Sequence, residues 1–68
     1  MNRLRELKDK KGLSLRELSE KVNIDFGNLS KMQNDKIGIA TENAKILADF
    51  FNVSIDYLLG HEIKKQER

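Results

Sequence analysis

Residues 14–32, SLRELSEKVNIDFGNLSKM, read as two short helices joined by a tight turn. Ser14 followed three positions later by Glu17 is a capping box, so a helix begins near Leu15. Leu15, Leu18 and Val22 then fall at helical spacing and give it one apolar stripe. Asn23 tolerates a left-handed backbone and stands where the turn is wanted. Asp25 is a good N-cap for the next helix, which continues through Leu29 and Met32. In that second helix Leu29 and Met32 face inward, leaving Phe26, Gly27, Asn28, Ser30 and Lys31 on the outer side.

Outward from this pair the chain keeps the same character. Upstream, Leu4 and Leu7 lie three apart in a stretch of Arg, Lys, Glu and Asp, the pattern of a one-sided helix. Gly12 after Lys10 and Lys11 is the composition of a helix end. Downstream, Asn34-Asp35-Lys36-Ile37-Gly38 has no strong period and reads as a loop. A fourth helix is expected from about Thr41, with Ala44, Leu47, Ala48 and Phe51 on one face. Ser54 caps a short fifth helix with Ile55, Leu58 and Leu59 inward, and Gly60 ends it. No alternating β-branched runs occur, so strands are not expected. The expectation is an all-α domain of five helices over residues 1–60, with a polar C-terminal tail over 61–68.

Composition narrows the class without naming a function. At 68 residues the chain holds one domain, with a core near the lower limit of what folds unaided. It has no Cys, which removes disulfides and thiolate metal sites, and lone His61 makes no metal centre. No apolar run approaches the roughly 20 residues of a membrane span, and no signal-peptide pattern opens the chain. A cytoplasmic protein is therefore expected. Thirteen Lys and Arg against eleven Asp and Glu give a net charge of +2, a weak pointer to nucleic acid at most.

Two helices joined by a turn of three or four residues form the unit that lays its second helix in the DNA major groove. Spacing alone fits any helical hairpin of a small bundle. Three stretches add specificity: Leu4 to Leu7 with Lys11-Gly12-Leu13-Ser14; Glu17-Leu18-Ser19-Glu20-Lys21-Val22; and Phe51-Asn52-Val53-Ser54-Ile55-Asp56-Tyr57-Leu58-Leu59-Gly60. Together they resemble the Cro/repressor-type helix-turn-helix family, the xenobiotic-response-element regulators, without a gap over residues 3 to 60. The resemblance implies a compact, lambda-repressor-like bundle whose second and third helices form the helix-turn-helix. It implies that Phe26, Gly27 and Lys31, with Asn28 and Ser30 beside them, read bases. By the same resemblance Leu15 and Arg16 at the opening of the second helix, and Asn34 and Lys36 in the loop after the third, contact phosphates. Arg3 and Arg5 are further candidates for flanking phosphates.

Several residues depart from the family pattern. Leu15 stands where the family commonly has Gln. Asp35 stands where it generally has Gly, so a strained or altered turn is expected there. Gly27 inside the recognition helix costs roughly 1 kcal/mol relative to Ala and brings no side chain to a base. Phe26 cannot hydrogen-bond, which leaves it apolar contact with a thymine methyl. Asp25 and Asp35 bring negative charge close to phosphates.

Each assignment has a plainer competitor. Lys31 and Lys36 also read as solvated surface lysines, and Phe26 as a half-buried prop for its helix. Phe50 and Tyr57, off the main stripe, read either as dimer contacts or as edge-of-core packing. Glu17 and Glu20 read as capping and solubility, and a single tail histidine supports no nucleophile–base arrangement, so no enzyme is expected. The leading reading is a sequence-specific repressor of transcription, a homodimer on a palindromic operator in double-stranded DNA, with no cofactor and no small-molecule ligand. The competing readings are a protein-interaction module on the same fold, antitoxin-like or antirepressor-like, or the N-terminal domain of a longer repressor.

Overall fold

The computed structural model describes residues 2–61. The polar tail expected over 61–68 falls, beyond His61, outside the described residues. Five helices follow in order: α1 (Leu4–Lys10), α2 (Leu15–Val22), α3 (Phe26–Gln33), α4 (Thr41–Phe51) and α5 (Ile55–Leu59). No strand occurs among the described residues.

Local chemistry accounts for most of the boundaries. At α2 the Ser14 hydroxyl accepts from the Glu17 amide (3.0 Å), and the Glu17 carboxylate accepts from the Ser14 amide (2.8 Å). That reciprocal pair satisfies two amides that the helix start would leave bare. Asp25 and Ser54 cap α3 and α5 in the same sense, accepting from the amides of Asn28 and Tyr57. The helix ends use left-handed residues. Gly12 (φ 70°) follows α1, Asn23 (φ 57°) ends α2, Asn52 (φ 58°) ends α4 and Gly60 (φ 83°) ends α5. Asparagine tolerates this conformation better than most side chains because its short amide bonds locally.

The core collects one face of every helix. Leu4, Leu18, Leu29, Leu47 and Leu58 are fully buried, with Leu7, Val22, Met32, Ala44, Ala48 and Phe51 nearly so. Ile24 joins them from the turn between α2 and α3, a position with no helical period to announce it. Among the described residues none of the buried ones is polar or charged, so hydrophobic burial carries their packing and no buried ion pair among them has to be desolvated. Phe50 and Tyr57 are half-buried against this core. Phe50 meets Phe51 edge to face at 5.1 Å. Cations cover both outer rings: Lys11 lies 5.6 Å from the Phe50 centroid and the Arg3 guanidinium 4.4 Å from that of Tyr57.

The capping box has a consequence for pH. Hydrogen bonds from the Ser14 amide and then the Ser14 hydroxyl, helped by Lys21, hold the Glu17 carboxyl below its ordinary value. A carboxyl lowered in the folded state adds stability that is present above its unfolded pKa and lost as pH falls through the folded one. Glu17→Gln keeps an acceptor at this position but cannot titrate. Its melting temperature is therefore expected to fall less than the wild type's on acidification below the ordinary carboxylate range. Parallel melting curves for the two proteins across that range would remove Glu17 from the acid limb.

Candidate nucleic-acid interface

The turn between α2 and α3 is three residues long, Asn23 to Asp25, and is pinned from one side chain. The Ser19 carbonyl accepts the amides of Asn23 and Ile24, while the Ser19 hydroxyl donates to the Ile24 carbonyl at 2.6 Å. Together with burial of Ile24, this sets the angle at which α3 leaves α2.

On α3 the outer face is the one expected from the spacing. Phe26 is 40% exposed, and Gly27, Asn28 and Lys31 are exposed while Ser30 is half-buried. Gly27 has an ordinary helical backbone. A Cβ there would stand 3.1 Å from the Asp25 carboxylate oxygen that caps the helix, so even alanine displaces the cap slightly. At the opening of α2, Leu15 is half-buried against the core and Arg16 is exposed. What Leu15 leaves unpartnered is therefore its backbone amide rather than its side chain, since the first amides of a helix have no partner within it. The Arg16 guanidinium lies over the Phe26 ring, 4.8 Å from its centroid. No local spacing foretells that stack, because the two residues sit on different helices.

The far end of α3 is held by the N-terminal segment, a feature the sequence reading missed. Asn2 donates from Nδ2 to the Met32 carbonyl (2.8 Å) and to Asp35 Oδ1 (3.4 Å), while its Oδ1 accepts from the Leu4 amide (2.9 Å). One side chain thus starts α1 and closes α3. Beside it, Arg5 donates to Asn34 Oδ1 at 2.7 Å, and Asn34 Nδ2 donates to the Ser30 carbonyl at 3.0 Å. Asn34 is therefore an internal tie as well as a phosphate candidate. Asp35 takes the left-handed conformation (φ 60°), as glycine would at the position where the resembled family has it. The chain reverses there, and the Lys36 amide bonds back to the Lys31 carbonyl at 2.8 Å. Lys36 and Lys31 are both exposed, on either side of this reversal.

The arrangement presents the amides of a helix N-terminus, the open face of a second helix and a cluster of Arg5, Lys31 and Lys36 around that helix's far end. Amides and cations of this kind suit phosphates, and an exposed α3 face suits base edges. No helix among the described residues is long and apolar enough to cross a membrane.

Comparison with known proteins agrees with this geometry. A family model described as helix-turn-helix matches residues 4–58. The chain is 40% identical over 60 residues to the HTH-type transcriptional regulator ImmR of Bacillus subtilis (strain 168), covering 88% of this chain and 47% of that protein. It thus spans about half the length of the curated relative it matches. No solved structure gives a significant match. With the matched span running from α1 into α5, the chain belongs to the helix-turn-helix family, in the Cro/repressor branch that its own motifs resemble.

Proposed function

We propose that the protein is a sequence-specific, DNA-binding regulator of transcription, acting as a repressor in the cytoplasm. The observation that carries this reading is the exposed, capped α3, fixed at a set angle to α2 by Ser19 and Ile24 and flanked by lysines. In this reading α3 enters the major groove. Phe26 meets a thymine methyl, Asn28, Ser30 and Lys31 reach neighbouring base edges, and Gly27 lets the helix backbone come close. The α2 amide at Leu15, with Asn34 and Lys36 after α3, fixes the register on the phosphates. The relative's name, a transcriptional regulator, supports the same reading.

One α3 reads only a few base pairs. The protein therefore binds as a homodimer to a palindromic operator, its two half-sites one helical turn, roughly 34 Å, apart. Phe50 and Tyr57, half-buried at the edge of the core, are the candidate dimer contacts. Residues 1–60 form the DNA-binding domain and 61–68 a tail. No cofactor or small-molecule ligand enters the mechanism, and the protein is a binding module rather than an enzyme.

The test is selection of the protein's preferred sites from a mixed-sequence duplex pool, followed by sequencing. A palindromic motif is expected to be enriched. Lys31→Ala and Phe26→Ala are each expected to weaken binding to it by roughly tenfold, the scale of one lost base or phosphate contact. A pool from which nothing is enriched would overturn the proposal and leave a fold whose partner is another protein.

A further inference from the structure

We propose that Arg16, delivered from α2 by the ring of Phe26, is a base-reading residue that selects a guanine beside the thymine contacted by Phe26. This rests on the DNA-reading function above. It moves Arg16 from the phosphate role, implied by its place on the opening turn of α2, to the floor of the groove.

Four observations converge on it. First, the guanidinium carbon sits 4.8 Å from the Phe26 centroid, well within cation–π range. Phe26 is the first residue of α3, the end that meets base edges in this architecture. A side chain leaning on that ring leans toward the bases and away from the backbone that flanks α2. Second, Arg16 has no carboxylate partner among the described residues. Its neighbour Glu17 is committed to the Ser14 amide. Lys8, by contrast, is paired with Asp9, and Arg5 is tied to Asn34. Third, Gly27 next to Phe26 is exposed and has no side chain, so nothing from that position occupies the space an arginine needs beside the ring. Fourth, Phe26 and Gly27 offer the DNA no side-chain hydrogen bond at the end of α3 where readout is concentrated. Arg16 supplies the missing donors from the other helix.

The chemistry favours arginine. Stacking uses the flat face of the guanidinium and leaves its in-plane N–H groups free. Two of them match the N7 and O6 acceptors of guanine, the commonest specific contact in the major groove. Holding the fork against Phe26 beforehand reduces the side-chain freedom lost on binding. Lysine at position 16 keeps the charge but has no fork. The pair thus reads a thymine–guanine step, the ring taking the methyl and the guanidinium taking the purine.

The test compares the full chain with Arg16→Lys, Arg16→Ala and Phe26→Leu on the motif enriched by the wild type. The duplexes are the motif itself, the motif with 7-deazaguanine at the selected guanine, and an unrelated duplex, all at one salt concentration. Both residues are exposed, and melting temperatures verify that the variants fold. Arg16→Ala is expected to lose roughly ten- to hundredfold affinity for the motif, on the scale of a bidentate base contact, with a smaller loss on the unrelated duplex, and Arg16→Lys is expected to lose less. Phe26→Leu is expected to lose part of the same guanine preference although Arg16 is intact. The 7-deazaguanine duplex, which keeps O6 but lacks N7, is expected to narrow the gap between wild type and Arg16→Ala. If Arg16→Ala keeps the wild type's preference for the guanine, or weakens both duplexes equally, Arg16 is a phosphate contact and this inference fails while the DNA-reading function stands. If the wild type enriches no motif, both fall together.

Discussion

Leu29→Ala is expected to remove about 2–5 kcal/mol of folding stability and to lower the melting temperature by roughly 10–30 °C. Leu29 is fully buried on the inner face of α3. Its removal leaves a cavity where α3 packs against α2 and α1. A domain of 68 residues is stabilised by only about 3–10 kcal/mol in total. One truncation therefore removes a large share of that stability, and DNA binding is expected to follow the folded fraction. Urea titration followed by circular dichroism gives the value directly. Ile46→Ala is the control. Ile46 is 43% exposed on α4, and its loss is expected to shift stability by no more than about 0.5 kcal/mol. Equal effects from the two substitutions would contradict the packing described above.

The second large effect is one of salt. Arg5, Lys31 and Lys36 surround the far end of α3, and the proposed homodimer would bring six such cations to one operator. Each phosphate neutralised releases close to one counterion, so log affinity should fall against log salt with a slope of about −5. Between 50 and 200 mM salt that amounts to roughly a thousandfold loss. A single protomer making half the contacts would lose only about fortyfold. Fluorescence anisotropy on the enriched duplex reads the slope, and Lys36→Ala should flatten it by about two in a dimer. Affinity that holds constant across the range would place the binding energy in apolar contacts and favour a protein partner. The exposed Phe26, Ile37 and Ile46 are where such contacts would be sought.

What the sequence made legible was whatever physics acts over a few residues. Ser14 with Glu17, Asn23, Asp25, Ser54 and Gly60 each announce a helix boundary through bonds or dihedrals that close within one turn. The boundaries they imply are those observed. The stripes of Leu18, Leu29 and Leu47 were legible for the same reason, since their spacing alone puts them on one face. What escaped depends on chain segments meeting from afar. Ile24 is buried because α2 and α3 fold over the turn that carries it, and a three-residue turn has no period to betray this. Phe50 and Tyr57 pack at the edge of the core, one of the two readings their place off the stripe allowed, but the cations from the α1 region that lie across them were not foreseen. The candidate site divides in the same way. The outer face of α3 followed from its inner face, whereas the Arg16–Phe26 stack and the Asn2 tie join residues on separate elements.

The Asn2 tie also bears on the order of events in time. Contacts between α2 and α3 close over a few residues and cost little chain entropy, while Asn2 reaches Met32 across 30 positions. Pairing of α2 with α3 is then the early step of folding, and docking of the N-terminal segment a late one. The reverse also follows: partial opening that lifts α1 frees the Met32 carbonyl and the Asp35 reversal without melting the α2–α3 turn. Amide hydrogen exchange should therefore show the first turn of α1 and the Asp35–Ile37 segment becoming labile together, ahead of Leu18 and Leu29. The proposed grip on the phosphates would loosen before the proposed base-reading face does.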